Sequence, residues 1–307
     1  MGSVFVMGSA NTDLTVKAPR LPRPQETVTD GEFMISFGGK GANQALAALF
    51  SGASTRLATR IGTDSFGDLL HRHLVQSGLP ENGLLRDEES KAGVALIAVD
   101  QEGNNQILVA PGSNKRLSRQ DIDRLLQPSH GYSVCLAQLE IPLETVLHGM
   151  EQARLLGLCT VLDPAPSKPL PSEIYPLLDI ITPNEREAAI LTGIQIHSPR
   201  DAKQAGEWLV RQGCGAAIVT LGTRGAVLCH EGGSSEISAF AVDTVDTVAA
   251  GDAFNGALAT ALAEGRELPE AARFASAAAA LSTTQRGAQE SLPQRSSIED
   301  LLRKRSA

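Results

Sequence analysis

Apolar residues along the chain fall into short segments of two alternating kinds. Val4-Phe5-Val6-Met7, Arg56 to Ile61, Val134 to Leu139, Thr160 to Leu162, Ile180-Ile181 and Ala216 to Thr220 read as buried strands. Between them the spacing turns helical, over Ala45 to Phe50, Phe66 to Gln76, Ser118 to Leu126, Leu143 to Leu156, Ser172 to Leu178, Glu185 to Leu191 and Pro199 to Gln212. Repeated β-α-β order predicts an α/β fold with a mostly parallel sheet flanked by helices on both faces. No linker or internal repeat interrupts it, so residues 1–307 are expected to form one domain.

Two regions depart from this rhythm. From Leu14 to Phe37 the pattern is short, half-apolar and broken by Pro19, Pro22, Pro24 and Gly31. Gly93 to Asp100 and Gln106 to Ala110 flank a turn at Gln101-Glu102-Gly103-Asn104 and read as a hairpin. Together these segments, about 12–37 and 91–110, predict a small sheet appended to the main one. Near the C-terminus, Ala226 to Cys229 is expected to pair with Ile237 to Ala241 around Gly232-Gly233.

Then comes the most informative stretch. The β-branched run Val242 to Val248 reads as an extended segment entering the small-residue turn Ala249-Ala250-Gly251, with an alanine-rich helix from about Asp252 onward. Unpaired N–H groups at such a helix start, together with the helix dipole, make an anion site, and small residues let a phosphate approach the backbone. Asp252 sits at its edge. It is either an N-cap or a base that takes a proton from a hydroxyl attacking a bound phosphoryl group. Asn11, Glu140, Asn184, Thr220 and Asp252 all follow predicted strands, where ligands bind on such sheets.

Composition narrows the class. The 307 residues carry 27 basic and 35 acidic side chains, net −8, which argues against a nucleic-acid or anionic-membrane surface. Four cysteines, at 135, 159, 214 and 229, lack metal or redox spacing and read as buried thiols. No long apolar run or leader-like segment is visible, so a cytoplasmic protein is expected.

The remaining constellations are individually ambiguous. Gly38-Gly39-Lys40-Gly41 lacks the spacing of a phosphate loop and fits a tight turn, with Lys40, Asn43 and Gln44 offering donors suited to sugar hydroxyls. Asn11 and Asp13 offer the same from the end of the first strand, with a local Asx-turn as the alternative for Asn11. Asn184 and Glu187 are spaced as a capping box or as a site where Glu187 orients waters on a phosphate-bound Mg²⁺. Thr220-Leu221-Gly222-Thr223-Arg224-Gly225 is a glycine-bracketed turn after a strand. His71 and His73, two apart on a helix, face different ways and are not expected to bind metal.

Taken together, Gly38-Gly39-Lys40-Gly41-Ala42-Asn43, Asn184-Glu185-Arg186-Glu187 and Asp246 to Gly256 resemble, in this order, the motifs of the ribokinase-like carbohydrate kinase family, and the similarity runs over essentially the whole chain. The resemblance implies that the appended sheet is a lid that often joins two subunits, so a homodimer is expected. It implies a small-molecule sugar, D-ribose, held by Asn11, Asp13, Gly39, Lys40, Asn43 and Glu140 and phosphorylated at O5 by ATP. Asp252 would be the base, and Ala249, Ala250 and Gly251 would form the anion hole with it. ATP would lie on Asn184, Thr220, Gly222, Thr223, Gly225, Gly251 and Ser276, with Glu187 near Mg²⁺ through water. A monovalent cation, K⁺ in most of the family, would bind at Asp246, Val248, Ser282, Gln285, Gly287 and Ser291. Two positions depart from the family pattern: Ser276 stands where a larger polar residue often meets adenine, and Glu290 replaces a commoner proline near the proposed cation loop. The resemblance leaves 2-deoxyribose, another pentose or a nucleoside as alternative substrates, and a silent sugar-binding regulator as an alternative role.

Overall fold

The computed structural model describes residues 2–127 and 130–304. Its strands are β1 (Ser3–Met7), β2 (Asn11–Lys17), β3 (Glu32–Gly38), β4 (Ser54–Gly62), β5 (Leu84–Asp87), β6 (Gly93–Val99), β7 (Asn105–Ala110), β8 (Val134–Ala137), β9 (Cys159–Leu162), β10 (Ile180–Ile181), β11 (Ala216–Thr220), β12 (Ala226–His230) and β13 (Gly233–Ile237). The helices are α1 (Lys40–Phe50), α2 (Ser65–Gln76), α3 (Arg119–Leu125), α4 (Leu143–Leu155), α5 (Glu185–Thr192), α6 (Pro199–Arg211), α7 (Ala250–Ala263), α8 (Leu268–Ser282) and α9 (Arg295–Lys304).

The main sheet has nine strands in the order β13-β12-β11-β10-β9-β8-β1-β4-β5. From β5 to β11 neighbours run parallel, and β12 and β13 close the edge antiparallel. Its central strands are apolar on both faces because both are covered. Val4 and Val6 of β1 point into a core shared with α1, α2, α7 and α8, whereas Phe5 and Met7 point into a second core with α3 and α4. The second sheet, β3-β2-β6-β7, stands apart from this layer. Among the described residues, no helix is long and apolar enough to cross a membrane.

Helix starts follow their caps. Asp64, Ser118, Asn184 and Ser198 each accept a backbone N–H at the start of α2, α3, α5 and α6, and the last three complete reciprocal capping boxes. Several expectations are corrected. Helix α1 begins at Lys40, not Ala45, because the turn at Gly39 launches it at once. The run expected as helix Ser172–Leu178 is a 3-10 segment, Ser172–Leu177, with Pro176 inside it. The partner of β12 is Gly233–Ile237, not Ile237–Ala241, because the hairpin turns tightly at His230↔Gly233. Val242 to Val248 is not a strand. Its Val245 and Asp246 N–H groups bond the Thr283 carbonyl instead of a neighbouring strand.

Candidate active site

Helix α7 carries the centre of the site. Its N-cap is Ala249, in the left-handed region at φ 60°, which leaves Asp252 in the first turn and excludes the capping role for it. The Ala250 N–H is taken by the Thr247 carbonyl at 3.3 Å, whereas Gly251 and Asp252 have no preceding helical carbonyl to bond. Of the turn expected to hold an anion, Ala249 and Ala250 thus give way to Gly251 and Asp252 as the positions with free helix-start N–H groups. A Cβ built on Gly251 meets no atom within 4 Å, so the backbone there is open to a ligand.

The Asp252 carboxylate is buried and held from both sides by consecutive residues of α1. Asn43 Nδ2 donates to Oδ2 at 2.8 Å and Gln44 Nε2 donates to Oδ1 at 2.9 Å. The same Gln44 amide donates to Asp163 Oδ2 at 2.7 Å, and Gln44 Oε1 accepts from Gln138 Nε2 at 2.5 Å. Asn43 and Gln44 can face α7 because α1 starts directly at the Gly39 turn. Gly39 has φ 86°, and a Cβ there would lie 2.7 Å from the Ala10 Cα.

The six expected sugar-site residues gather on this side of Asp252. Glu140 Oε2 accepts the Ser9 hydroxyl at 2.5 Å and the Lys40 N–H at 3.1 Å. Asn11 begins β2, and its Oδ1 accepts from Asn114 Nδ2 at 2.7 Å. Asp13, two residues further along β2, brings the second sheet to the pocket. Burial pushes its carboxyl up to about 7, with repulsion from Glu140 and Glu290 adding to the effect.

Charge in the pocket is unbalanced. Burial pulls the Lys40 ammonium down, but Asp252, Asp163, Glu140 and Glu187 outweigh it and leave its pKa raised. Burial also pushes Asp163 up to about 7, against the pull of Lys40, and raises Glu187 against the bond from the Asn184 N–H. One ammonium facing four carboxylates fits a site that takes a cation together with its anionic ligand. Among the described residues, no group of three or more His, Cys, Asp or Glu forms a metal cage. Glu187, the carboxylate expected near Mg²⁺, accepts the Asn184 N–H on Oε2 at 2.8 Å.

On the other side of Gly251 lies a cavity of about 490 Å³, within the size range of small-molecule sites. Thr220, Gly222, Thr223, Gly225, Gly251 and Ser276 all line it, beside the apolar walls Phe240 and Phe254. Asn184 does not line it; its side chain caps α5, with Asn184 Oδ1 accepting the Glu187 N–H at 2.9 Å. The Ser276 hydroxyl donates to the Ala272 carbonyl of its own helix at 2.9 Å.

The six expected cation residues fall in two segments joined by Asp246. Its Oδ1 accepts the Val248 N–H at 3.1 Å and its Oδ2 the Gly287 N–H at 3.2 Å. Ser282 and Ser291 donate their hydroxyls to the nearby Ala279 and Ala288 carbonyls, and Gln285 is exposed.

Sequence reasoning missed Asp163, Gln138, Asn114, Asn255 and Gln289. Asn255 was visible as part of the Asp246 to Gly256 motif. It accepts from the Thr182 hydroxyl at 2.6 Å and donates to the Gly251 carbonyl at 2.9 Å, so it fixes the turn rather than a ligand. The four cysteines are free thiols, with Cys135, Cys214 and Cys229 buried and Cys159 partly so. Burial pushes the thiols at 135, 159 and 214 up to about 12.

Residues 1–295 match the family model described as pfkB family carbohydrate kinase. The chain is 39% identical over 301 residues to a ribokinase of Haemophilus influenzae, covering 98% of each. It is 35% identical over 291 residues to a deoxyribokinase of Salmonella typhi, covering 94% of this chain and 95% of that one. Its fold superposes with a TM-score of 0.90 on the structure of an Arabidopsis thaliana ribokinase complexed with ribose and ATP, at 31% identity and 98% coverage of both chains. A buried carboxylate at an open helix start, with a polar pocket on one side and a nucleotide-sized cavity on the other, is thus set in the sequence and fold of a known group: the chain belongs to the pfkB family of carbohydrate kinases.

Proposed function

We propose that the protein transfers the γ-phosphoryl group of ATP to the O5 hydroxyl of D-ribose. The observation that carries this reading is the position of Asp252, between the Lys40–Asn43–Glu140 pocket and the cavity that opens at Gly251. Sugar in the first space and nucleotide in the second would meet at the start of α7. The ribokinase relative and the ribose- and ATP-bound Arabidopsis ribokinase support the two substrates.

The chain's own residues supply three functions. The Asp252 carboxylate accepts the O5 proton as the oxygen attacks, while the Asn43 and Gln44 amides hold it in place. The Gly251 and Asp252 N–H groups stabilise charge on the transferred group. Lys40, Asn43, Glu140, Asn11 and Asp13 orient the sugar, and the threonine- and glycine-rich walls at 220–225 receive the nucleotide. Glu187 would hold Mg²⁺ through water, and the ion would supply positive charge against that developing on the phosphates. The 246–248 and 282–291 segments are read as a monovalent-cation loop, supported by the Asp246 clamp on Gly287.

Within this single kinase unit the four-stranded sheet would act as the lid, with Asp13 on its inner side. It also exposes Phe33, Ile35, Leu96 and Leu108, which the register through Leu14 and Val16 puts on one face, and which suit a second copy of the chain. The deoxyribokinase relative supports 2-deoxy-D-ribose as the second substrate reading. ADP release with Mg·ATP and each sugar, in K⁺ or in Na⁺, tests the proposal. Ribose turnover that rises with K⁺ is expected. Preference for deoxyribose would move the substrate assignment, and no turnover with either sugar would overturn it.

A further inference from the structure

Asn43 is held on its far side by residues to which no function has been given so far. Its Oδ1 accepts from Gln289 Nε2 at 3.0 Å, and Gln289 Oε1 lies 2.8 Å from His73 Nε2. The His73 ring stacks on Phe37 of β3, with centroids 4.2 Å apart and planes inclined by 20°. Asn43 and Gln289 are only 6% and 5% exposed, so both amides lie almost wholly within the protein. The row joins α7, α1, the tail segment, α2 and the second sheet.

We propose that His73 and Gln289 are positioning residues that lock the orientation of the Asn43 amide and, through it, the Asp252 carboxylate. The inference rests on the reading of Asp252 as the base. Hydrogen-bond polarity carries it. An ionised carboxylate only accepts, so Asn43 must turn its NH₂ toward Asp252 and its oxygen toward Gln289. Gln289 must then donate to Asn43, which leaves its own oxygen facing His73. His73 must therefore present an Nε2–H. Each amide has one allowed orientation, set by the charge at one end and the imidazole proton at the other.

The arrangement has a consequence for the second sheet. Phe37 closes β3 just before Gly38 and Gly39, and it rests on the ring that anchors the row. A displacement of β3 at this point would disturb His73 and loosen Asn43 at the same time. The base would thus be fully oriented only when the base of the sheet is seated against α2.

The test compares variants that keep shape with variants that keep the hydrogen bond. His73→Phe retains a ring against Phe37 but has no Nε2–H, whereas His73→Gln retains a donor. Gln289→Leu removes both bonds at similar volume. His73→Phe and Gln289→Leu are expected to lower kcat about tenfold or more, since small misplacement of a reacting group is costly, while KM for ATP stays within about twofold. His73→Gln should recover most of kcat, and the double variant His73→Phe/Gln289→Leu should be no slower than Gln289→Leu alone. Wild-type kcat in both shape-keeping variants would overturn the proposal. So would a loss explained wholly by lowered melting temperature, with no difference between His73→Phe and His73→Gln in the folded fraction. Nitrogen-15 NMR of the wild-type imidazole decides the point without any substrate: the Nε2–H tautomer is expected, and the Nδ1–H tautomer would overturn the row. Failure of ribose turnover in the wild type would leave that second measurement intact, so the substrate reading and the positioning role fail separately.

Discussion

Asn43 Nδ2 donates a 2.8 Å hydrogen bond to Asp252 Oδ2, joining the first turn of α1 to the first turn of α7 across 209 positions of sequence. Gln44 donates to the other oxygen, so both faces of the carboxylate meet an NH₂ group. An amide at position 252 must turn its own NH₂ toward one of them. Asp252→Asn is therefore expected to lose about 1–3 kcal/mol through that unsatisfied contact, and to fold. Thermal melting monitored by circular dichroism checks this, a cooperative transition at reduced temperature being the expected result.

Gly251 and Gly256 sit five residues apart on α7 and should respond oppositely to alanine. A Cβ on Gly251, which lines the cavity, meets no atom within 4 Å, whereas one on Gly256 would lie 2.5 Å from both the Ala47 Cβ and the Gln44 carbonyl oxygen. Gly251→Ala should keep or slightly raise stability, by up to about 1 kcal/mol, because alanine favours the helix. Its turnover should fall at least about tenfold, because the methyl would disturb the phosphoryl position. Gly256→Ala should lower the melting temperature through overpacking of α1 on α7, at a cost of about 1–3 kcal/mol. Parallel melting curves and ADP-release assays separate the two effects.

The buried carboxyl of Asp163 predicts a particular pH dependence. Its pKa is raised from 3.8 to about 7 on folding, so between these values the folded state holds a proton that the unfolded state has released. Stability from this group is therefore lost as pH rises from about 4 to about 7, by a few kcal/mol at most, and is level outside that window. Asp163→Asn removes the slope while leaving an oxygen to accept from Gln44. The melting temperature of the variant relative to wild type should climb across this window. A flat difference would contradict the assignment.

Ser276 is expected to matter little. Its hydroxyl is already engaged with the Ala272 carbonyl, so it offers the cavity wall mainly its Cβ. Ser276→Ala should leave KM for ATP within about twofold, since no hydrogen bond to the nucleotide is lost. A tenfold rise would show that the hydroxyl turns toward the base when ATP binds.

Much of the fold was legible because local signals agreed with burial. The strand at Val4–Met7 and the helical spacing over 66–76, 118–126, 185–191 and 199–212 placed their elements within a residue or two. The failures have local causes. Val242 to Val248 is rich in β-branched residues, yet its Val245 and Asp246 N–H groups find the Thr283 carbonyl, and among the described residues it pairs with no strand. β5 was missed because only Leu84 and Leu85 are apolar before Arg86 and Asp87, and Arg86 and Asp87 engage other elements.

The site divides in the same way. Asp252, Asn43, Lys40 and the Thr220–Gly225 turn belong to contiguous motifs and could be read directly. Asp163, Gln138 and Gln289 act singly, from three distant segments, and meet only through Gln44 and Asn43. Asp163 follows strand β9, a position where ligand-facing groups concentrate on parallel sheets, and that placement was the one signal available for it.

The proposed cation loop makes one further prediction. Asp246 spans the loop by accepting the N–H groups of Val248 and Gly287. Asp246→Ala should release both, and turnover in the variant should no longer respond to replacing Na⁺ by K⁺. A K⁺ response equal to that of the wild type would place the cation elsewhere.

The central claim is that Asp252 is the base for phosphoryl transfer from ATP to ribose, and product formation tests it most directly. Wild type and Asp252→Asn are incubated with D-ribose and Mg·ATP, and ADP and the sugar phosphate are followed by phosphorus-31 NMR. Stoichiometric ADP and ribose 5-phosphate are predicted for wild type, with a rate lower by about 10²–10⁴-fold in the folded variant. Equal rates in the two proteins, or ADP released by wild type without a sugar phosphate, would contradict the account.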